Sequence, residues 1–591
     1  MKIKYISALA VGLGLVMTSC DVTDLAPLDS MTDASYWHTT TDLELYANGL
    51  YGNLPGASIS GDNQSDLMLT QSPSQLLFDE YTISNAPNYW GWTAIRNCNY
   101  FMDRYQAVEG EQALINQYVG EVRFIRALLY YSLIVNLGDV PYYDHELSTT
   151  DEEALYAPRD PRNYVLGKVI EDLQFAAEWC VDDQGYSGRI TCDAAKQQLA
   201  RVCLYFGTYM KYHNESANNG YGSDNLLQMA AQYSQELMSS NKYAIVQGQN
   251  SFGTTNFPDY PLYYQNQFVQ ESLQGNAEAV LPRYYANNLV MHELGRQAGT
   301  GGGSGLGLSK AGVEMYLMAN GMPIYNSGSG YKGDNTIFDE VEGRDPRLWQ
   351  TIANDYRPNW TANASGEDTW RWDYSATVSP NAGLTGYACE KFHSSDQDQW
   401  IAQHSYFDWF IYRYAEVLLI NAEANAELGQ CTQTVLDNTI NKLRDRVGMP
   451  HLTVNPVADA KPIDYGYTLS PLLYEIRRER AVELINEGFR LGDIKRWNAT
   501  QLLANPLTML GCVVSPEMEA FFALPQNGQV SFGGDDHPVY EYDGKKYLQI
   551  YQDSYMNSDK RVWTANDRRW LYPIPNAQVV LNPNLTQNPG W

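Results

Sequence analysis

PLLYEIRRERAVELINEGFRLGDIKRW, residues 471–497, is the stretch that decides how the chain folds. Ser470 is placed to cap a helix, Pro471 suits its first position, and the pattern predicts a helix that runs to Gly488. Leu473, Ile476 and Leu484, with Val482, Ile485 and Phe489, recur at the spacing of a buried face. Charge crowds the same helix. Glu475, Glu479, Glu483 and Glu487 stand four apart and form one acidic row, which is unfavourable on an isolated helix. Arg477, Arg478, Arg480 and Arg490 lie within reach to neutralise it. Arg480 falls between Ile476 and Leu484, on the apolar seam, where an arginine has to be paired. Two carboxylates of such a row could serve acid/base chemistry on a glycoside. The favoured reading is an ion-paired helix that locks two halves of a fold in register, because catalytic carboxylates come from separate elements facing a cleft.

Working outward, 591 residues with 44% apolar and 18% charged content make an ordinary globular composition with room for a large core. The net charge of −29 excludes a nucleic-acid partner, whose phosphates it would repel. Aromatic residues reach 13%, with 45 Tyr and 14 Trp, an excess that asks for a use beyond core filling.

Residues 1–19 read as an export signal: Lys2 and Lys4, then an apolar run from Ile6 to Met17 too short to span a bilayer. Met17-Thr18-Ser19-Cys20 resembles the lipobox of bacterial lipoproteins, with Met in place of the usual Leu. Cys20 is then the lipidation site and 20–30 a polar tether. Of the seven later cysteines, Cys180 and Cys192 flank a loop that a disulfide could bridge, and Cys203 reads as a free core thiol. No Cys-x-x-Cys occurs, so no zinc site of that kind is expected.

Helical patterns follow from Thr41, from Trp92 to Tyr105 and from Glu111 to Leu137, the last apolar on nearly every side and stopped by Gly138. Asp160 is placed to cap Pro161 to Cys180; Asp193 opens the next helix, and Leu226 to Ser239 is its partner. Asp408 begins another, with Thr432 to Val447 returning beside it. Long helices paired by short loops, with Ala195, Ala200 and Gly207 at close spacing, read as tetratricopeptide-type hairpins. Between these blocks, residues 244–400 are rich in Gly, Asn, Ser, Asp and Pro, an irregular region of the kind that carries function.

Several stretches resemble the SusD/RagB family, surface glycan-binding lipoproteins of Gram-negative nutrient-uptake systems. They are Tyr36-Trp37 with Ala47-Asn48-Gly49-Leu50-Tyr51, the helix from Arg126-Ala127 to Pro141, Gly343-Arg344-Asp345-Pro346-Arg347-Leu348, the 471–497 stretch itself, and Leu571-Tyr572-Pro573-Ile574-Pro575 with Asn582 to Gly590. The resemblance implies a mainly α, SusD-like fold: a tetratricopeptide-like helix-hairpin scaffold with a long loop-rich region packed on it. It divides the chain into an N-terminal helical region, 31–243, and a C-terminal region, 244–591, that includes the ligand-binding part. It implies an outer-membrane, outward-facing lipoprotein that captures oligosaccharide or polysaccharide for a SusC-like, TonB-dependent β-barrel transporter. Capture of peptide or glycoprotein is an alternative, and a surface glycosidase a further one.

No nucleophile elbow, phosphate loop, dinucleotide fingerprint or His-Glu-x-x-His is present. The eight His make no metal-spaced pair, and Asp396 and Asp398 lack the glycine and distal Glu of a calcium loop, so no catalytic residue, metal or cofactor is expected. Gly299 to Gly307 matches no phosphate-binding spacing and reads as a surface loop. Sugar rings are polar at the rim and present C–H groups on their faces, which stack on rigid aromatics. Trp37, Trp179, Trp409 and Trp497 sit in periodic apolar runs and read as packing. Asn88, Tyr89, Trp90 and Trp92 lie in a polar loop at a helix start, and Trp360, Trp370, Trp372 and Tyr374 lie in a segment too polar for a core. These are the candidate ligand-binding residues, together with Tyr284 and Tyr285 ahead of the glycine-rich loop, for which packing is the stronger reading.

Overall fold

The computed structural model describes residues 36–591 apart from 59–60, 184–186, 218–219, 248–263, 300–305, 353–384, 395 and 515–538. The signal peptide, Cys20 and the tether lie outside the described residues, as does most of the glycine-rich loop.

The scaffold is a succession of packed helices: α1 (Thr40–Leu50), α2 (Thr93–Met102), α3 (Gln112–Leu137), α4 (Arg162–Trp179), α5 (Cys192–Tyr212), α6 (Ser223–Ser239), α7 (Tyr414–Glu427), α8 (Ile440–Arg446), α9 (Pro471–Glu483), α10 (Arg490–Arg496) and α11 (Asn576–Leu581). Within it α3 pairs with α4 and α5 with α6, while α7 packs on α6 and α9. The α5–α6 pair is the hairpin that the pattern predicts, and the expected Thr432–Val447 return beside α7 is two short helices, Gln433–Asn438 and α8, broken at Thr439. α3 is buried along most of its length, as an all-round apolar helix must be. It ends at Gly138, whose φ of 75° is a left-handed turn and whose missing side chain makes room for Leu571. The C-terminal segment closes over that end: Tyr572 N donates to Asn136 O at 2.7 Å and Asn588 Nδ2 to Leu137 O at 3.0 Å.

Strands are short and antiparallel: β1 (Met68–Leu69) with β3 (Gly307–Leu308), β2 (Ala279–Arg283) with β4 (Trp409–Arg413), and β5 (Leu510–Val513), β7 (Lys545–Gln549) and β6 (Val539–Tyr542) in the order β5-β7-β6. The pattern carries the helix of α7 back to Asp408, but Trp409–Arg413 is a strand, with Arg283 opposite Trp409 and Ala279 opposite Arg413. Trp-Phe-Ile-Tyr is a β-favouring run, and the helix begins only at Tyr414. Two caps also differ. Thr191 Oγ1, not Asp193, caps α5 by accepting from Ala194 N at 3.0 Å. The Asp160 carboxylate accepts from Tyr142 N rather than capping α4.

The predicted disulfide is not formed: Cys180 and Cys192 are both free. The side chains face different groups. Cys180 Sγ packs towards Gly120 of α3, whereas Cys192 Sγ donates to the main-chain carbonyl of Cys180 at 2.9 Å. Cys203 is a buried thiol, as expected.

The acidic row is buried and neutralised, for the most part not by the arginines next to it. Glu479 accepts from Arg444 Nε at 2.7 Å and Arg347 Nη1 at 3.0 Å. Glu483 takes Arg413 Nη1 at 2.9 Å, Arg347 Nη1 at 3.3 Å and Arg446 Nη2. Glu487 takes Arg413 and Lys391, each at 2.6 Å. Only Glu475 is paired within the helix, to Arg478. The neighbouring arginines reach elsewhere: Arg477 and Arg480 of α9 to Glu427 and Asp493, and Arg490 of α10 to Asp66 with two bonds of 2.8 and 2.7 Å. Almost all these groups are buried. Burial alone would push the Glu483 carboxyl up, but Arg446, Arg413 and Arg347 together hold it well below the usual carboxylate range. α9 also ends before Gly488. It stops at Glu483, and the left-handed Asn486 (φ 60°) and Gly488 (φ 84°) turn the chain into α10. That turn carries Glu487 off the helix yet keeps it in the same ionic lattice. The lattice ties the loop-rich 278–413 segments to the helices, the register-locking role that the sequence suggests.

Candidate functional site

The 88–92 loop is built by its own polar residues. Asn88 Oδ1 accepts from Trp90 N at 2.9 Å and Tyr89 O from Gly91 N at 2.9 Å, a pair of tight turns that project Trp90 and Trp92 from the start of α2. Tyr89 turns the other way and packs on Tyr572, ring centres 4.9 Å apart, which fixes the loop to the C-terminal segment. Trp90 and Trp92 meet edge to face at 5.3 Å, and Trp92 meets Tyr143 at 5.3 Å. Both tryptophans are half-buried.

Opposite them stands the 141–149 segment. Buried Asn99 of α2 holds it, donating to the carbonyls of Tyr143 at 2.8 Å and His145 at 3.1 Å while its own oxygen accepts from Arg126. Arg126 is in turn fixed by Asp172 of α4. Tyr130 of α3 adds a second clamp, accepting from Tyr143 N at 2.8 Å. The result is a cleft of about 520 Å³ between the tryptophan loop, the 141–149 segment and α11, well within the range of small-ligand sites. Its walls are Trp90, Trp92, Tyr143, Ile95, Pro141 and Leu585; its polar edge is Arg96, His145, Ser148, Thr149 and Gln578. Arg96 is 58% exposed and paired with Glu146. Hydrogen bonding to the Asp144 carboxylate raises the His145 imidazole.

The cleft offers flat apolar faces with donors at their margin. None of its described lining residues is Asp or Glu. Among the described residues no group of three His, Cys, Asp or Glu could hold a metal ion, and no helix is long and apolar enough to cross a membrane.

Of the other candidates, the described Tyr284 and Tyr285 do not line this cleft. Trp360, Trp370, Trp372 and Tyr374 fall outside the described residues. Tyr285 is engaged in packing: its hydroxyl accepts from Ala57 N at 2.9 Å and its ring meets His292 at 4.6 Å. Tyr284 is half-buried beside Gly188. Of the tryptophans read as packing, Trp37 and Trp497 are buried, Trp179 is half-buried beside Phe175, and Trp409 packs on the second core cluster against Phe392 while also lining a second cavity.

Residues 266–591 match the family model described as SusD family, and residues 41–204 a model described as starch-binding associating with outer membrane. Two relatives from Formosa agariphila, named SusD-like protein P2 and SusD-like protein P38, are each 23% identical to this chain. The matches cover 82% and 86% of it and 88% and 94% of theirs. A SusD-like protein of Bacteroides fragilis superposes over 96% of this chain and 100% of its own, with a TM-score of 0.67 at 22% identity. A second structure from that organism, titled a SusD-like carbohydrate binding protein, gives 0.67 at 22% over 93% and 100%. The surface glycan-binding protein A of Bacteroides fluxus gives 0.58 at 16% over 94% and 100%.

Proposed function

Because the chain belongs to the SusD family, we propose that it is a carbohydrate-binding protein of the outer membrane and that the Trp90–Trp92 cleft is its glycan-capture surface. The observation that carries this reading is the cleft itself: two tryptophans and a tyrosine fixed by buried hydrogen bonds, a polar edge, and no carboxylate in the described lining. Such a surface binds a sugar chain by stacking and releases it unaltered. The family, and solved structures named a SusD-like carbohydrate binding protein and a surface glycan-binding protein, support the same ligand class.

In this reading Cys20 carries the lipid anchor, the protein faces outward, and the captured oligosaccharide passes to a SusC-like, TonB-dependent barrel. Trp360, Trp370, Trp372 and Tyr374 extend the capture surface, while Tyr284 and Tyr285 shape the fold rather than touch ligand. The test is to incubate the purified protein with a panel of soluble polysaccharides immobilised on beads and measure both protein retained and reducing ends released. Retention on at least one polysaccharide without release supports the proposal. Release of sugar, or retention on none, refutes it.

A further inference from the structure

A cavity of about 330 Å³ lies elsewhere and shares no lining residue with the Trp90–Trp92 cleft. Its walls are aromatic: Trp409 and Phe410 of β4, Phe489 from the turn before α10, and Phe268 and Phe392. Its lip is the 55–58 segment. Arg283 Nη1 pins that lip by donating to Leu54 O at 2.7 Å, and the Tyr285 hydroxyl pins it at Ala57.

Arg201 of α5 also lines the cavity and is fixed on three sides. Its Nε and Nη2 donate to Glu416 at 2.7 and 2.6 Å, and its guanidinium carbon lies 4.6 Å from the Tyr412 ring centre and 5.1 Å from that of Phe489. None of the described residues accepts from its Nη1. The remaining charges are spent. Arg413 is held by Glu483 and Glu487, and the Asp408 carboxylate accepts from the amides of Tyr285 and Leu273. With Glu416 balancing Arg201, no net positive charge remains to hold an anion. Beside these paired charges, among them the lining carboxylates of Asp408, Glu416 and Glu487, the cavity offers the half-buried rings of Trp409, Phe410 and Phe489 and one rigid donor, the complement of an uncharged ring with hydroxyls at its rim. The volume is at the low end for ligand sites, about 300–1,000 Å³, which suits one ring rather than a chain.

We infer that this cavity is a second carbohydrate subsite, which takes a single neutral monosaccharide unit with a hydroxyl accepting from Arg201 Nη1. The inference rests on the glycan-binding reading, and its test separates the two. The purified protein is titrated calorimetrically with the methyl glycosides of glucose, galactose, mannose and xylose. At least one should bind, bind equally in Trp90→Ala, and bind at least about 10-fold more weakly in Trp409→Ala. Ser58→Trp, at the exposed lip, should block the cavity without touching the core and produce the same loss, so the test survives if Trp409→Ala misfolds. The inference is overturned if no glycoside binds the unaltered protein, or if Ser58→Trp leaves binding intact. In either case, continued retention on polysaccharide would leave the first reading standing, whereas loss of that too would remove both.

Discussion

Replacing Glu483 by Gln tests whether the ionic lattice holds the molecule together. The side chain is fully buried and its carboxylate meets Arg413 at 2.9 Å, Arg347 at 3.3 Å and Arg446. Gln keeps the shape and removes the charge, so packing is unchanged while three arginines lose a shared counter-ion. Removing one partner of a buried pair costs about 3–5 kcal/mol. The lower end applies here, because Arg446 keeps Glu278, Arg413 keeps Glu487, and Arg347 keeps Asp345 and Glu479. For a chain of this size, with an m-value of about 3 kcal/mol/M or more, a loss of about 3 kcal/mol lowers the urea midpoint by up to about 1 M. The control is Glu171→Gln. Glu171 is 55% exposed and pairs with Lys168 at 2.9 Å, a contact of the surface kind whose loss costs under about 1 kcal/mol. Equal midpoints for the two variants, read by far-UV circular dichroism, would refute the locking role.

The lattice also sets a pH dependence. Burial raises, but arginine and lysine neighbours outweigh it and lower, the carboxyls of Glu479, Glu483 and Glu487. Their stabilisation is therefore present above about pH 4.5 and lost as pH falls through the lowered folded values. Asp62 and Asp408, pushed up to about 6 chiefly by burial, act oppositely and add stability as pH falls from 6 towards 4. A melting series should show Tm held between pH 7 and 5 and falling below 4; a steady fall from pH 7 would contradict the assignment. Millimolar dithiothreitol should leave Tm unchanged, since Cys180 and Cys192 are unbridged; a marked drop would show a disulfide. Trp370→Ala with Trp372→Ala should weaken polysaccharide retention without lowering Tm, and a large drop in Tm would place those residues in the core instead.

How far the sequence could be read varies by element. The need to neutralise the Glu475–Glu487 row was plain from its spacing. The partners were not, because Arg347, Lys391 and Arg413 lie at least 60 residues upstream in sequence and only the fold brings them to α9. Gly343 to Leu348 stood out as a motif, but its use became visible only with Arg347 buried against Glu479 and Glu483. Trp90 and Trp92 were legible as site candidates because a polar loop left them without an apolar pattern to join. Trp409 was hidden by the opposite circumstance, an apolar run that turned out to be strand before it became helix. The cysteine spacing suited a bridge, yet side-chain direction, which spacing does not carry, put Cys192 against a carbonyl.

The central claim is that the Trp90–Trp92 cleft captures glycan without cleaving it. The most direct measurement is affinity electrophoresis of the unaltered protein beside Trp90→Ala, in gels containing the polysaccharides that retain it. Truncating an aromatic anchor costs about 2 kcal/mol, more than 10-fold in affinity. The account predicts that the unaltered protein is retarded and Trp90→Ala migrates nearly as in a gel without polysaccharide. Equal retardation of the two would contradict it.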